Sequence, residues 1–140
     1  MIQYLNEWVE LPPLDTLTLN RWIKAVAASY GKNTGEIAYV FCNNERILEV
    51  NQQYMNHDYY TDIITFDYSE GKKISGDIFI SIETVKSNAD EFGVSFEEEL
   101  NRIIIHGILH LCGNDDKTPA LRMEMTNKEN RALLQLKSIQ

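Results

Sequence analysis

The sequence predicts an α+β domain in which a small mixed β-sheet packs with about five helices. Three observations carry that expectation. Short runs rich in β-branched and aromatic residues alternate with stretches whose apolar residues recur at helical spacing, in the order β-α-β-α-β-β-α-α-α. Two strand runs follow one another in the middle and three helical runs close the chain, which favours mixed connections over a doubly wound parallel sheet. No glycine-rich phosphate loop is present, so a nucleotide-binding fold is disfavoured. With 140 residues, 44% hydrophobic and 24% charged, residues 1–140 are expected to form a single domain around one core.

Residues 1–8 read as a strand with Ile2, Tyr4 and Asn6 on one face. After the turn LPPLD, Leu19, Trp22, Ile23, Val26 and Tyr30 repeat at helical spacing, and Gly31 is the stop. Residues 36–42 read as a buried strand, and a helix beginning near Asn44 carries Ile47, Leu48 and Tyr54. Thr61–Tyr68 is the next strand, and SEGKK turns the chain into the strand Ile74–Ser81. A helix near 82–92 ends at Gly93. Ser95 and Glu98 then form an S-x-x-E capping box ahead of Leu100, Ile104, Ile108 and Leu111. Gly113 can end that helix in a left-handed turn. Thr118-Pro119 opens the closing helix, where proline suits the first helical position, and the apolar stripe is Leu121, Met125, Ala132 and Leu136.

No apolar run approaches the length of a membrane span. The N-terminus MIQYLNEWVE lacks the basic-then-apolar layout of a secretory signal, so a cytoplasmic location is expected. Cys42 and Cys112 are far apart and form no CxxC, which gives no disulfide framework. The net charge of −8 argues against tight, free-standing, non-specific nucleic-acid binding. A local basic groove, a metal or a partner would have to bring RNA to such a surface.

The segment HGILHLCGNDD carries the chemistry. His106 and His110 are four apart on a predicted helix, so both imidazoles project from one face and can share a metal. Gly113 lets the chain turn back, and Asp116 can return a carboxylate as third ligand, leaving an open position for water. Cys112, two residues beyond His110, is the less favoured ligand. An HxxxH pair alone can equally be two surface or core histidines. Here two of the chain's three histidines fall in the pair, on an otherwise apolar helix where polar rings need partners. The spacing H-x3-H-x2-G-x2-D also resembles the metzincin proteases, which place a glutamate base directly after the first histidine. Gly107 stands there, so peptidase chemistry is disfavoured.

The same segment resembles the YbeY family, metal-dependent endoribonucleases linked to ribosomal RNA maturation. The family signature H-G-x-L-H-L-x-G-y-D-H is matched at His106, Gly107, Leu109, His110, Leu111, Gly113 and Asp115, and Met125 stands at the downstream methionine. VNQQYMNHDYYTDIITFDY is similar to the family's LNxxYRxxdxpTdVLSF, and GDIFIS to its GDI[VF]IS strand. The resemblance spans about residues 45–125 in register. It implies Zn2+, or Fe2+ or another divalent metal, on His106, His110 and Asp116 at the C-terminal end of the fourth helix. It also implies single-strand-specific cleavage in 16S rRNA 3′-end maturation and ribosome quality control. The partners implied are ribosomal RNA, the small ribosomal subunit and ribosomal or GTPase proteins, with neither membrane nor DNA.

Two departures matter. Asp116 replaces the third family histidine, and its negative charge should make the metal a weaker Lewis acid; a two-histidine, one-carboxylate set also suits iron. Met55 aligns with a family arginine expected to engage phosphate or transition-state charge, leaving His57, Lys72, Lys73 or Arg102 as substitutes. Asp115 is the candidate catalytic base, with orienting a ligand histidine or capping the last helix as its other readings. Met125 is expected to pack beneath the site, and Asp77 and Ser81 to be structural. The alternatives are a non-catalytic ribosome-associated factor with a structural metal, and a metal hydrolase of peptides or small molecules. An iron oxygenase ranks last, because its usual ligands sit on a β-barrel.

Overall fold

The structure is a computed structural model that describes residues 1–55 and 61–140. His57 and the side chain of Met55 lie outside the described residues. The elements run β1 (Ile2–Asn6), α1 (Thr16–Ser29), β2 (Asn33–Cys42), α2 (Asn44–Met55), β3 (Ile63–Asp67), β4 (Lys73–Ser81), α3 (Ile82–Phe92), α4 (Phe96–Leu111) and α5 (Pro119–Ile139). This is the element order the sequence predicts. The strands form one sheet in the order β1-β2-β4-β3. β1 and β4 each lie parallel to β2, and β3 is antiparallel to β4. The sheet is therefore mixed, with an α+β arrangement of helices around it.

Alternation along the strands sorts the core. Ile37, Tyr39, Phe41, Ile74, Ile78 and Ile80 cluster with the buried faces of α1, α4 and α5. Cys42 and Ile64 form a smaller cluster with Ile47 and Val50 of α2, flanked by Phe66 and Phe79. Three strands differ in their bounds from the sequence reading by more than a residue, of which β3 is trimmed at both ends, to Ile63–Asp67 from Thr61–Tyr68. β1 stops at Asn6, and Trp8 has φ 64°, a left-handed conformation rare for a bulky residue. β2 begins three residues earlier than expected, because its register with β4 shifts between Thr34 and Ile37, the signature of a bulge.

α4 carries the site and is held on several sides. Ser95 caps it, its Oγ accepting from the Glu98 N–H at 3.1 Å. Glu97, Glu98 and Glu99 sit in the first turn, where carboxylates complement the helix dipole. Farther along, Leu100, Ile103, Ile104, Ile105, Ile108, Leu109 and Leu111 are buried. Gly107 lets this helix approach the sheet closely: a Cβ there would come within 2.9 Å of Ile78 Cδ1. Gly76 on β4 does the same from the other side, since a Cβ there would meet the Phe66 carbonyl oxygen and, at 3.1 Å, Leu111 Cδ2.

Two long-range hydrogen bonds lock the helical layer. Trp22 Nε1 donates to the Ala132 carbonyl at 2.8 Å, and Tyr39 Oη donates to the Ile104 carbonyl at 2.9 Å. Tyr39 is fully buried, so its hydroxyl has no water to return to when the bond is lost. Tyr39→Phe should therefore cost about 1–1.5 kcal/mol in urea denaturation. An unchanged midpoint would show that the bond contributes nothing net.

Candidate metal centre

His106 and His110 occupy the last turns of α4, with ring centroids 4.7 Å apart. Both Nε2 atoms face Asp116, at 3.5 Å from Oδ2 for His106 and 3.4 Å from Oδ1 for His110. One ligand atom from each of the three residues lies within 4.8 Å of the others. Tetrahedral zinc with bonds of about 2.0–2.1 Å separates neighbouring ligand atoms by about 3.4 Å. The histidine–aspartate spacings already match that edge, and the two-nitrogen, one-oxygen donor set suits a borderline divalent cation.

The loop after α4 is what delivers Asp116. Gly113 takes φ 97° and its N–H donates to the His110 carbonyl at 2.9 Å. Asn114 donates to the Leu109 carbonyl from both its backbone N–H (3.1 Å) and its Nδ2 (3.0 Å). Lys128 Nζ donates to Asn114 Oδ1 at 2.5 Å, tying the loop to α5. Asp115 Oδ1 accepts from the N–H groups of Asp116 at 2.6 Å and Lys117 at 3.0 Å, a local turn of the kind aspartate favours. The cap of α5 is Thr118, whose Oγ1 accepts from the Leu121 N–H at 3.1 Å, so the capping alternative for Asp115 does not hold.

A carboxylate does orient one of these two histidines, but it is Glu129 rather than Asp115. Glu129 Oε2 lies 2.6 Å from His106 Nδ1. Arg102 Nη1 donates to Glu129 Oε1 at 2.9 Å, and Arg102 Nη2 to Asn130 Oδ1 at 2.8 Å. An Nδ1–H directed at a carboxylate leaves the Nε2 lone pair of His106 turned toward Asp116, the tautomer a metal ligand needs. Sequence reading missed Glu129 although a signal existed. It lies four residues after Met125 and three before Ala132, on the buried stripe of α5, where a charged residue requires a partner.

Asp62, just before β3, is the second residue missed. Burial pushes its carboxyl above the ordinary range, partly offset by His106. Burial pulls His106 down, but the Glu129 hydrogen bond and the charges of Glu129, Asp116 and Asp62 outweigh it, so His106 lies above its ordinary value. His110 lies below, because of burial and the neighbouring His106, with Asp116 only partly compensating. Three carboxylates thus gather around one imidazole, an arrangement that favours a cation.

The other singled-out residues have plainer settings. Met125 is buried in the core cluster. Cys112 caps α4, and burial pushes its thiol up to about 11. Asp77 accepts from Tyr68 Oη at 3.4 Å, and Ser81 caps α3 while its Oγ donates to Asn44 Oδ1 at 2.6 Å. Lys73 opens β4 and Lys72 precedes it, at the opposite end of that strand from Ser81, whose N–H donates to the Asp62 carbonyl. Of the described cations considered for the missing arginine, Arg102 is the one joined to the site, through Glu129.

The Glu129 contact makes a prediction. Glu129→Ala should lower metal affinity about 10- to 100-fold in chelator competition. Glu129→Gln, which retains an acceptor, should lose less. Equal affinity in all three proteins would mean that Glu129 only supports the fold.

Comparison with known proteins is consistent along the whole chain. The family model described as Endoribonuclease YbeY matches residues 6–137. A protein named Endoribonuclease YbeY from Parabacteroides distasonis is 60% identical over 132 residues, 94% of this chain and 93% of that one. One of the same name from Bacteroides thetaiotaomicron is 57% identical over 132 residues, covering 94% and 96%. The Porphyromonas gingivalis protein of that name is 47% identical over 136 residues, covering 97% and 90%. Among solved structures, the solution structure of TM1509 from Thermotoga maritima matches with TM-score 0.63 and 25% identity, over 99% of this chain and 93% of that one.

Proposed function

Because the chain belongs to the Endoribonuclease YbeY family, we propose that it is a metal-dependent endoribonuclease that cuts single-stranded RNA in small-subunit ribosomal RNA maturation and ribosome quality control. The observation that carries this reading is the convergence of His106, His110 and Asp116, with ligand atoms within 4.8 Å, in a chain of that family. These three residues would hold the cation, with zinc as first choice for the donor set. When bound, the cation supplies Lewis-acid stabilisation of a phosphodiester oxygen and an acidified water. Glu129 keeps the Nδ1 proton of His106 in place, and Arg102 balances the Glu129 charge. The loop from Gly113 to Lys117 fixes the carboxylate of Asp116 against both rings.

Asp115 is the proposed general base. Its Oδ1 is engaged with the loop backbone one residue before Asp116, and the residue is exposed to solvent. Asp115→Asn should keep metal content while lowering kcat about 10²- to 10⁴-fold. Full activity in that variant would leave Asp115 as a loop anchor only.

The decisive assay compares labelled single-stranded RNA, duplex RNA and peptides, with and without chelator. Chelator-sensitive cleavage confined to single-stranded RNA is expected. Cleavage of peptides alone would overturn the reading. A second reading is supported by Met55 at the family arginine and by the net charge of −8: a non-catalytic ribosome-associated factor with a structural metal. Co-sedimentation with small subunits without RNA cleavage would favour it. Among the described residues no helix is long and apolar enough to cross a membrane, and the proposed setting is the cytoplasm, beside ribosomal proteins or GTPases acting on the same particle.

A further inference from the structure

A chain of net charge −8 gives RNA no long-range attraction, so the strand must be held by local cations. Three cations without a carboxylate partner gather at one end of the helical layer. Among the described residues, Lys32, Lys128 and Arg131 form no ion pair. Lys32 and Lys128 donate instead to neutral oxygens, the Gly71 carbonyl at 3.4 Å and Asn114 Oδ1 at 2.5 Å. Arg131 is exposed and hydrogen-bonds no described residue, so its N–H donors are free for a ligand. Arg46 and Arg102, by contrast, are both committed to carboxylates.

Lys128 and Arg131, one turn apart on α5, line a cavity of about 260 Å3 together with Gln135 and with Ser29 and Tyr30 from the end of α1. No carboxylate lines it. Burial pushes the Tyr30 hydroxyl up and Arg131 opposes that shift, which sets the guanidinium charge beside the ring. Lys32 adds charge nearby, since it acts on Cys112 and Cys112 in turn on Tyr30. The carbonyls at this end of α1 are already used. Val26 accepts from Ser29 Oγ, Ala27 from the Tyr30 and Lys32 N–H groups, and Ala28 from the Gly31 N–H. The wall therefore offers cationic and neutral donors, the setting an anion needs. Sites for whole small molecules start at about 300 Å3, so this one suits a single anionic group.

Lys128 also ties the cavity to the metal centre. Its partner Asn114 stands two residues before Asp116, and its neighbour on α5, Glu129, reaches His106. Asp115 and Asp116 share the loop with Asn114, but neither lines the cavity. We propose that this cavity binds a backbone phosphate of single-stranded RNA, flanking the linkage held at the metal centre, with Arg131 and Lys128 as its cationic donors. The guanidinium fork matches two phosphate oxygens, and the ammonium supplies a second point charge. Such contacts position a strand without reading its sequence. The proposal rests on the ribonuclease reading for its biological ligand, but binding can be measured apart from cleavage.

The test is fluorescence anisotropy of single-stranded 2′-O-methyl oligouridylate and oligoadenylate, each checked as intact after titration. The proteins are metal-loaded wild type, Arg131→Gln, Arg131→Lys and Lys86→Gln. Lys86 is exposed on α3, which does not line the cavity, and controls for the loss of one positive charge anywhere. Arg131→Gln should weaken both probes alike, about 3- to 10-fold, and lower the slope of log Kd against log salt by about 0.7. Arg131→Lys should keep the slope and lose less affinity, and Lys86→Gln should match the wild type. Metal content and Tm should stay unchanged, because Arg131 is exposed and outside the metal ligands. Wild-type affinity and slope in Arg131→Gln, an equal loss in Lys86→Gln, or no binding of either probe overturns the proposal. Displacement of the probes by polyglutamate in an Arg131-dependent way also overturns it and assigns the cavity to an acidic protein. RNA cleavage with binding indifferent to Arg131 discards the subsite and leaves the ribonuclease reading standing. Arg131-dependent binding without cleavage of any RNA does the reverse.

Discussion

Purified His110→Ala should contain no stoichiometric metal, whereas the wild type should carry about one divalent ion per chain by elemental analysis. Removing this imidazole leaves His106 and Asp116, two of the three groups whose ligand atoms now lie within 4.8 Å. Two protein ligands do not make a tight zinc site in water. The fold should survive, because His110 is 31% exposed and belongs to neither core cluster. Unchanged circular dichroism would separate ligand loss from unfolding. Asp116→Ala should behave alike. Asp116→His restores the family's three imidazoles and should keep the ion while moving the cleavage pH profile downward, since a neutral ligand leaves the cation more acidic. Metal retained at full stoichiometry in both alanine variants would sink the ligand assignment, and iron in place of zinc would redirect the chemistry.

Gly76→Ala should be among the most destabilising single-methyl changes in the chain, at roughly 2–4 kcal/mol. The added Cβ would strike a backbone carbonyl, that of Phe66 on the paired strand β3, which cannot swing aside as a side chain can. It would also press on Leu111, the last residue of α4, one position after His110. Chemical denaturation should report the loss, and metal affinity should fall with it. A loss below about 0.5 kcal/mol, the range of ordinary surface changes, would contradict this account. Gly107→Ala provides the contrast: its Cβ would meet the movable Cδ1 of Ile78, and alanine gains about 1 kcal/mol of helix propensity. Its net effect should be small. A longer side chain at 107 would run into Ile78 and Ile63, so a glutamate there could not serve as a peptidase base facing the histidines.

The fold was legible because its information is local. Period-two and period-3.6 apolar patterns are visible within ten residues, and caps such as Ser95 and Thr118 announce themselves. What escaped depends on partners. The bulge in β2 appears only in its pairing with β4, and the early end of β1 only in the backbone of Trp8. The same division runs through the candidate site. His106, His110 and Asp116 fall within eleven residues and could be grouped from spacing alone. Glu129 contacts His106 across 23 residues, and Asp62 approaches it from before β3. Of these, only Glu129 left a mark in the sequence, as a charge on an apolar stripe.

Two long-range contacts to the final helix also set a schedule for biosynthesis. Trp22 must wait 110 residues for its acceptor, Ala132, and His106 has no Glu129 until the final helix is made. Non-local contacts of this kind form late. A nascent chain in which α5 is not yet made would hold both histidines without the carboxylate that fixes the tautomer of His106. The metal centre is thus finished by the last helix made, whose Glu129 orients a histidine that α4 has already placed.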